Sequence, residues 1–465
     1  MSDLTFLPVT RLAEMLDTAK IDAETLTRLF LDRALGVGRA LNCYITLRAE
    51  TALLDARAAA ERAGAKRRRG RLDGIPVALK DNIDVAGLPT SNGFGGAPWR
   101  IPTEDAEIVR RLREAGAVIL GKLNMHEGAL GATNDNPHHG RAFNPHRAGH
   151  SPGGSSGGSG AAVAAGLCCA ALGTDTGGSV RIPASYCGIV GLKPSFGLIS
   201  TRGVVPLSYR LDHAGPLTRT VADAAIMLSV LGGFDPACPD SRRGPIMRDD
   251  AIHPGRLDGI RLGVIGNFAS ERVEAAVTAA FNVAIEQLSR LGATIRTVDL
   301  RGYDPVKGRR AAFMRVEAEA AFVHGPLYGQ APERFSPEMR LYLDYGARLK
   351  ATQLLAADRR IDVAAFELAR CLEDVDAIVS PTTPQAAPAF GGPAPDNAGT
   401  FCVLANFAGC PAISVPMGCD SDGLPLGLQV VGALGADARV LEIAAAYELA
   451  AGITIKPLPL GGGEG

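Results

Sequence analysis

The sequence predicts an α/β fold, with a central, largely buried β-sheet and helices packed around it. Two observations carry that expectation. Short continuous apolar runs of strand length recur along the chain, as expected for strands covered on both faces, and between them lie segments with apolar residues at helical spacing. The composition agrees: 465 residues, 46% hydrophobic and 21% charged, can bury a large core.

Taken in order, the first strand-like run is Pro76 to Leu79. Thr103 precedes Glu104, Asp105 and Glu107, and Ile108, Leu112 and Ala115 follow at helical spacing before Gly116. This reads as a helix capped by Thr103 that feeds a strand over Ala117 to Leu120. From Gly154 to Thr174 no residue is charged. The stretch opens with glycine and serine, and its compact apolar part, Ala161 to Leu172, is too short to span a bilayer, so it reads as a buried helix followed by a strand over Cys169 to Leu172. Gly232 to Gly259 is rich in Pro, Gly and Asp and reads as a surface connection between two halves. Strand-like runs resume at Arg261 to Ile265 and Thr294 to Val298, and again at Ala377 to Ser380, Ala412 to Val415 and Leu428 to Val431. Between them, Asp304 to Leu372 is mainly helical and is expected to cover the sheet and shape a substrate entrance.

A formal net charge of −1 leaves no overall footprint for nucleic acid or an anionic membrane. The basic run Lys66 to Arg69 reads as a solvated helix end before a turn at Gly70. Nine cysteines without CxxC spacing, and an N-terminus without a basic region followed by an apolar run, point to reduced thiols in the cytoplasm.

Three motifs invite other chemistries. Gly116 to Lys122 matches a phosphate-binding loop until Leu123 replaces the Ser or Thr that would hold Mg²⁺. Gly153 to Gly158 fits G-x-S-x-G at both Ser155 and Ser156, but that elbow needs a later acid and histidine, and nothing around His213, His253 or His324 marks a catalytic base. Five histidines, His126, His138, His139, His146 and His150, fall close together without the spacing of a zinc ligand set, and read as a loop over a site.

Eight of the 48 basic residues are lysines, so a lysine at a special place suggests that arginine would fail there. Lys80 ends an apolar strand, where burial lowers an ammonium pKa from about 10.4 while an arginine stays charged. Two glycine-serine turns follow, one around Ser155 and one over Asp175 to Arg181 that contains Ser179, and they suggest a single site built from both. Asp175 and Arg181 flank the second turn and read as a pair that fixes the loop.

These residues resemble the amidase signature hydrolases. The resemblance rests on GIPVALKDN (Gly74 to Asn82), GKLNM (Gly121 to Met125), PGGSSGGS (Pro152 to Ser159), GTDTGGSVRIPA (Gly173 to Ala184), GLKPS (Gly191 to Ser195), PAISVPMG (Pro411 to Gly418) and GLPLGLQVVG (Gly423 to Gly432). It implies one domain over residues 1–465, a central mixed β-sheet surrounded by α-helices: N-terminal helices in 1–70, a signature core with the catalytic residues in 71–232, a surface connection in 233–259, and the second half of the sheet in 260–456 with its helical layer at 304–372. The tail, 457–465, is expected to be disordered.

The resemblance further implies a Ser-cisSer-Lys triad, with Ser179 as nucleophile, Ser155 as bridging serine after a cis Gly154–Ser155 peptide, and Lys80 as base. Backbone N–H groups of Thr176, Gly177, Gly178 and Ser179 are then the expected oxyanion hole. Ser156, Asp175 and Arg181 are expected to support the site, and Ser159 to start a helix. No metal or organic cofactor is called for. Met125, Gly128 and Ile182 are the expected substrate contacts, and Leu130, Phe313, Met314, Phe322, Tyr328 and Tyr342 add apolar surface that suits an uncharged or aryl-bearing acyl group. The implied partner is a small-molecule amide or carbamate, with no nucleic acid or membrane and with a homodimer as the family-level assembly. The alternative is the glutamine-hydrolysing component of a tRNA-dependent amidotransferase complex. Members of that branch usually carry Asp where this chain has His126, and lack the His138-His139 loop, so a free-standing amidase is the expected function.

Overall fold

The computed structural model describes residues 4–96, 100–244, 252, 254–266 and 271–457. His253 and residues 458–465 of the tail lie outside them. Eleven strands form one sheet: β1 (Tyr44–Leu47), β2 (Pro76–Lys80), β3 (Val118–Leu123), β4 (Ala170–Asp175), β5 (Val190–Lys193), β6 (His213–Thr218), β7 (Arg261–Ile265), β8 (Thr294–Val298), β9 (Ala377–Pro381), β10 (Ala412–Cys419) and β11 (Pro425–Val431). Their order is β1-β3-β2-β4-β6-β5-β10-β11-β9-β7-β8. The pairs β2/β3, β2/β4, β7/β8 and β7/β9 are parallel, and the middle of the sheet is antiparallel. The sheet is therefore mixed, as expected.

Five of the eight expected runs fall on strands covered on both faces, since every residue of β2, β3, β4, β9 and β11 is buried, whereas β8, at the edge of the sheet, is mostly exposed. The runs missed β1, β5 and β6. Strand β6 reads His-Ala-Gly-Pro-Leu-Thr, and its Gly215 and Pro216 signal a turn rather than a strand. Here the glycine serves close approach: a Cβ at Gly215 would run into the carbonyl of Leu192 on β5.

The helix expected from Thr103 starts later, at Glu107, with no side-chain cap. The preceding residues are drawn into neighbouring structure instead: the Asp105 carboxylate accepts the Ala86 N–H at 2.8 Å, and Ala106 N–H donates to Asp84 O at 3.0 Å. The basic run does follow a helix end, Ala49–Gly64, but Arg68 is not solvated. Its side chain is 10% exposed and pairs with Asp17.

Three helices, Pro305–Gln330, Pro337–Arg348 and Ala351–Asp374, form the layer expected over 304–372. Beneath them lies a second apolar cluster that includes Phe94, Met125, Met339 and Leu343, separate from the main core around the sheet. Among the described residues no helix is long and apolar enough to cross a membrane.

Candidate active site

Lys80 is the last residue of β2, and its side chain is fully buried. Its Nζ lies 2.7 Å from Ser155 Oγ and 2.8 Å from Thr174 Oγ1, near the end of the neighbouring strand β4. Asn82 Nδ2 also donates to Thr174 Oγ1, at 3.0 Å. Burial pulls the Lys80 ammonium down to about 7, while Asp212 and Asp175 act in the opposite direction and favour the charged form. Near neutral pH the amine therefore exists in both protonation states.

The Gly154–Ser155 peptide is cis. No side chain fits at Gly154, where a Cβ would lie 2.7 Å from the backbone of Ala132 and Thr133. The next residue, Ser156, stands before the helix Gly157–Ala164 without capping it. Its Oγ instead donates to Thr174 O at 3.2 Å and accepts Thr174 N–H at 3.3 Å, which ties the first turn to β4. Ser159 lies in the first turn of that helix and donates to Leu172 O at 3.1 Å.

The second turn is held from below. Burial acts to raise the Asp175 carboxyl, yet Arg181 and Asn406 together hold it far below the usual carboxylate range. Arg181 donates to Asp175 through Nε (3.0 Å) and Nη2 (2.8 Å), and reaches Cys402 O, Gln429 Oε1 and Asn406 Oδ1. Both side chains are fully buried, so the bidentate pair anchors the loop to distant parts of the chain. The Gly178 N–H donates to Asp175 Oδ1 at 2.8 Å, so Gly178 drops out of the expected oxyanion donors and Thr176, Gly177 and Ser179 remain. Gly178 has φ +124°, and a Cβ there would meet Cys402 and Ile182, so its glycine serves the turn itself.

Ser179 is half-buried and opens onto a cavity of ≈ 140 Å³ together with Thr176, Gly177 and Ile182. Leu130, Leu207, Phe313 and Val403 add apolar wall, and Arg309 and Asp396 are its two charged residues among the described residues. Of the expected substrate contacts Ile182 is at this cavity, as is Leu130 of the expected apolar surface. Met125 and Gly128 are not: Met125 is fully buried in the second apolar cluster, and Gly128 packs under Met339 and Phe94. A short turn, Glu127–Ala129, carries the chain over between them and brings Ala129 and Leu130 to the cavity instead. Of the aromatic residues on the outer layer, Phe313 lines it; Phe322 is 75% exposed and Tyr328 meets Phe335 edge to face.

The histidines spread over separate partners. His138 meets Glu127 at 3.0 Å, His139 reaches Phe94 O at 3.1 Å and His146 reaches Cys187 O at 2.9 Å, while His126 borders a second cavity beside the first. Among the described residues no group of three or more His, Cys, Asp or Glu side chains is placed to hold a metal. Sequence reasoning missed Thr174, Asp212 and Asn406. Thr174 lies next to the second turn, where its position beside Asp175 is a signal; Asp212, whose carboxylate accepts Thr176 Oγ1 at 2.6 Å, and Asn406 have none in their local sequence.

Comparison with known proteins places this arrangement. The amidase family model matches residues 25–441. The A component of the glutamyl-tRNA(Gln) amidotransferase of Methylococcus capsulatus is 36% identical over 468 residues, covering 94% of this chain and 96% of that protein. A solved structure from a vestigial protein complex that reveals the origins of an s-triazine catabolic enzyme superposes with a TM-score of 0.91 at 32% identity, over 97% of this chain and 100% of the other. The peptide amidase of Stenotrophomonas maltophilia gives 0.85 at 31% identity, over 97% and 98%.

Proposed function

This chain belongs to the amidase signature family, hydrolases of amide carbon–nitrogen bonds, and on that premise we propose that it is a free-standing amidase working through Ser179, Ser155 and Lys80. The observation that carries the proposal is the 2.7 Å contact from Lys80 Nζ to Ser155 Oγ, with burial holding Lys80 near neutrality. Neutral Lys80 takes a proton from Ser155, which takes one from Ser179, and Ser179 Oγ attacks the substrate carbonyl. Backbone N–H groups of Gly177 and Ser179, with that of Thr176, stabilise the oxyanion; losing one such donor typically costs about 3–4 kcal/mol of transition-state stabilisation. The proton returns through Ser155 to the leaving nitrogen, the amine or ammonia departs, and water hydrolyses the acyl-enzyme.

The apolar cavity suits the acyl part of a small amide, anilide or carbamate. A second reading, the glutamine-hydrolysing component of a tRNA-dependent amidotransferase, is favoured by the 36% identity to the Methylococcus capsulatus protein. It would require the cavity to hold the α-ammonium and α-carboxylate of glutamine. Arg309, the one cationic side chain on its wall among the described residues, is already neutralised by Glu271 at 2.9 Å, which favours the free-standing reading. Nine free cysteines, eight of them buried, suit the cytoplasm, and a homodimer is the proposed assembly, read by sedimentation. The test is ammonia or amine release by the purified chain across glutamine, aliphatic amides, anilides and aryl carbamates, with Ser179→Ala in parallel. Serine-dependent turnover of substrates other than glutamine supports the proposal. Turnover of glutamine alone, or of nothing without partner chains, overturns it.

A further inference from the structure

The helix Pro305–Gln330 lends Arg309, Ala312, Phe313 and Val316 to the cavity that Ser179 opens onto. Their three- and four-residue steps put them on one helix face, a wall of about 10 Å at 1.5 Å rise per residue. Three of the four are apolar. Arg309, at the N-terminal end of the wall, is the only side chain with N–H donors lining this cavity among the described residues. Its Nη1 donates to Glu271 Oε2 at 2.9 Å and Thr400 Oγ1 at 2.5 Å, and the Glu271 side chain is only 7% exposed. Among the described residues, its Nε and Nη2 donate to nothing.

A guanidinium so held is neutralised along one edge and has donors to spare on the other. We propose that Arg309 determines specificity by donating from those nitrogens to a second, neutral carbonyl in the acyl part of the substrate. The preferred substrate is then an amide whose acyl chain ends in another carboxamide, carbamate or urea. This rests on the reading of the cavity as the acyl site of Ser179. A neutral carbonyl fits better than a carboxylate, because Glu271 already supplies the counter-charge and Asp396 lines the same cavity. A further anion would bring net negative charge into apolar surroundings.

Three probes of equal length separate the possibilities: glutaramide, glutaramate and the isosteric 5-methylhexanamide. Binding is measured calorimetrically on Ser179→Ala, and hydrolysis by ammonia release from the unaltered enzyme. Glutaramide is expected to bind roughly ten- to a hundredfold more tightly than 5-methylhexanamide. Arg309→Met, combined with Glu271→Gln so that no carboxylate is left alone, should erase that preference. In the Ser179 enzyme the same change should raise KM for glutaramide and leave kcat within about threefold, and Arg309→Lys should restore part of the affinity. Equal binding of glutaramide and 5-methylhexanamide, or an equal loss for all three probes in Arg309→Met, overturns the proposal, as does tighter binding of glutaramate. Because binding is read without turnover, its order decides the role of Arg309 even if no ammonia is released, an outcome that would count against the hydrolase reading alone.

Discussion

Lys80 and Lys193 end two strands of the same sheet, β2 and β5, and both side chains are fully buried. Burial pulls both ammonium groups down to about 7. Their partners differ. Lys80 meets two hydroxyls, Ser155 and Thr174, whereas the Lys193 Nζ donates to the carbonyl of its own neighbour Pro194 at 3.0 Å and feels Arg181 nearby. A hydroxyl can give up a proton and take it back; a carbonyl has none to give. A lowered pKa therefore makes a lysine available as a base only where a relay leads from it to the reacting atom, and of these two lysines it is Lys80 that has hydroxyls, Ser155 among them, within hydrogen-bond reach to start one.

The largest expected effect tests that contrast directly. Lys80→Met should lower kcat by about 10⁴-fold or more, as should Ser179→Ala, while Lys193→Met, an apolar replacement of similar volume, should leave turnover within about tenfold. Ammonia release with circular dichroism to confirm folding is the measurement, and a collapse of activity in Lys193→Met would break the comparison.

Next in size is the anchor beneath the second turn. Asp175→Asn leaves Arg181 buried without its counter-ion and should cost about 3–5 kcal/mol, read as a shift in the urea midpoint. Met125 and Ile182 sharpen the line between core and cavity: Met125→Ala should destabilise by about 2–5 kcal/mol with KM little changed, whereas Ile182→Ala should change KM across acyl groups of different size. Equal KM effects would place Met125 at the substrate.

The smallest effect is the pH profile. The proposed base is the neutral amine, so kcat/KM should fall as pH drops below about 7, approaching tenfold per unit, and level off above it. The folded-state pKa of Lys80 lies below its ordinary value of 10.5, so from about 7 upward to that value the unfolded chain binds more protons and the Lys80 contribution to stability rises with pH. Lys80→Met should flatten that rise, and a profile unchanged in Lys80→Met would assign the titration elsewhere.

By itself the sequence determined the α/β class, eight of the eleven strands, and the residues that the turns around Lys80, Ser155 and Ser179 offer for chemistry. These are local properties: continuous apolar runs code for strands covered on both faces, and glycine beside serine codes for a tight turn with an accessible hydroxyl. It also pointed to the Asp175–Arg181 pair, which lies within one turn. Only the tertiary structure decided the rest, because those contacts join residues far apart. Arg181 reaches Asn406 across 225 residues, and β6 is a strand because β4 and β5 accept it, in spite of its glycine and proline. The same holds at the cavity, where the turn Glu127–Ala129 buries Met125 and Gly128 and presents Leu130. Which residue of a short segment faces substrate depends on the direction the backbone takes between packed elements, and composition and spacing do not carry that direction.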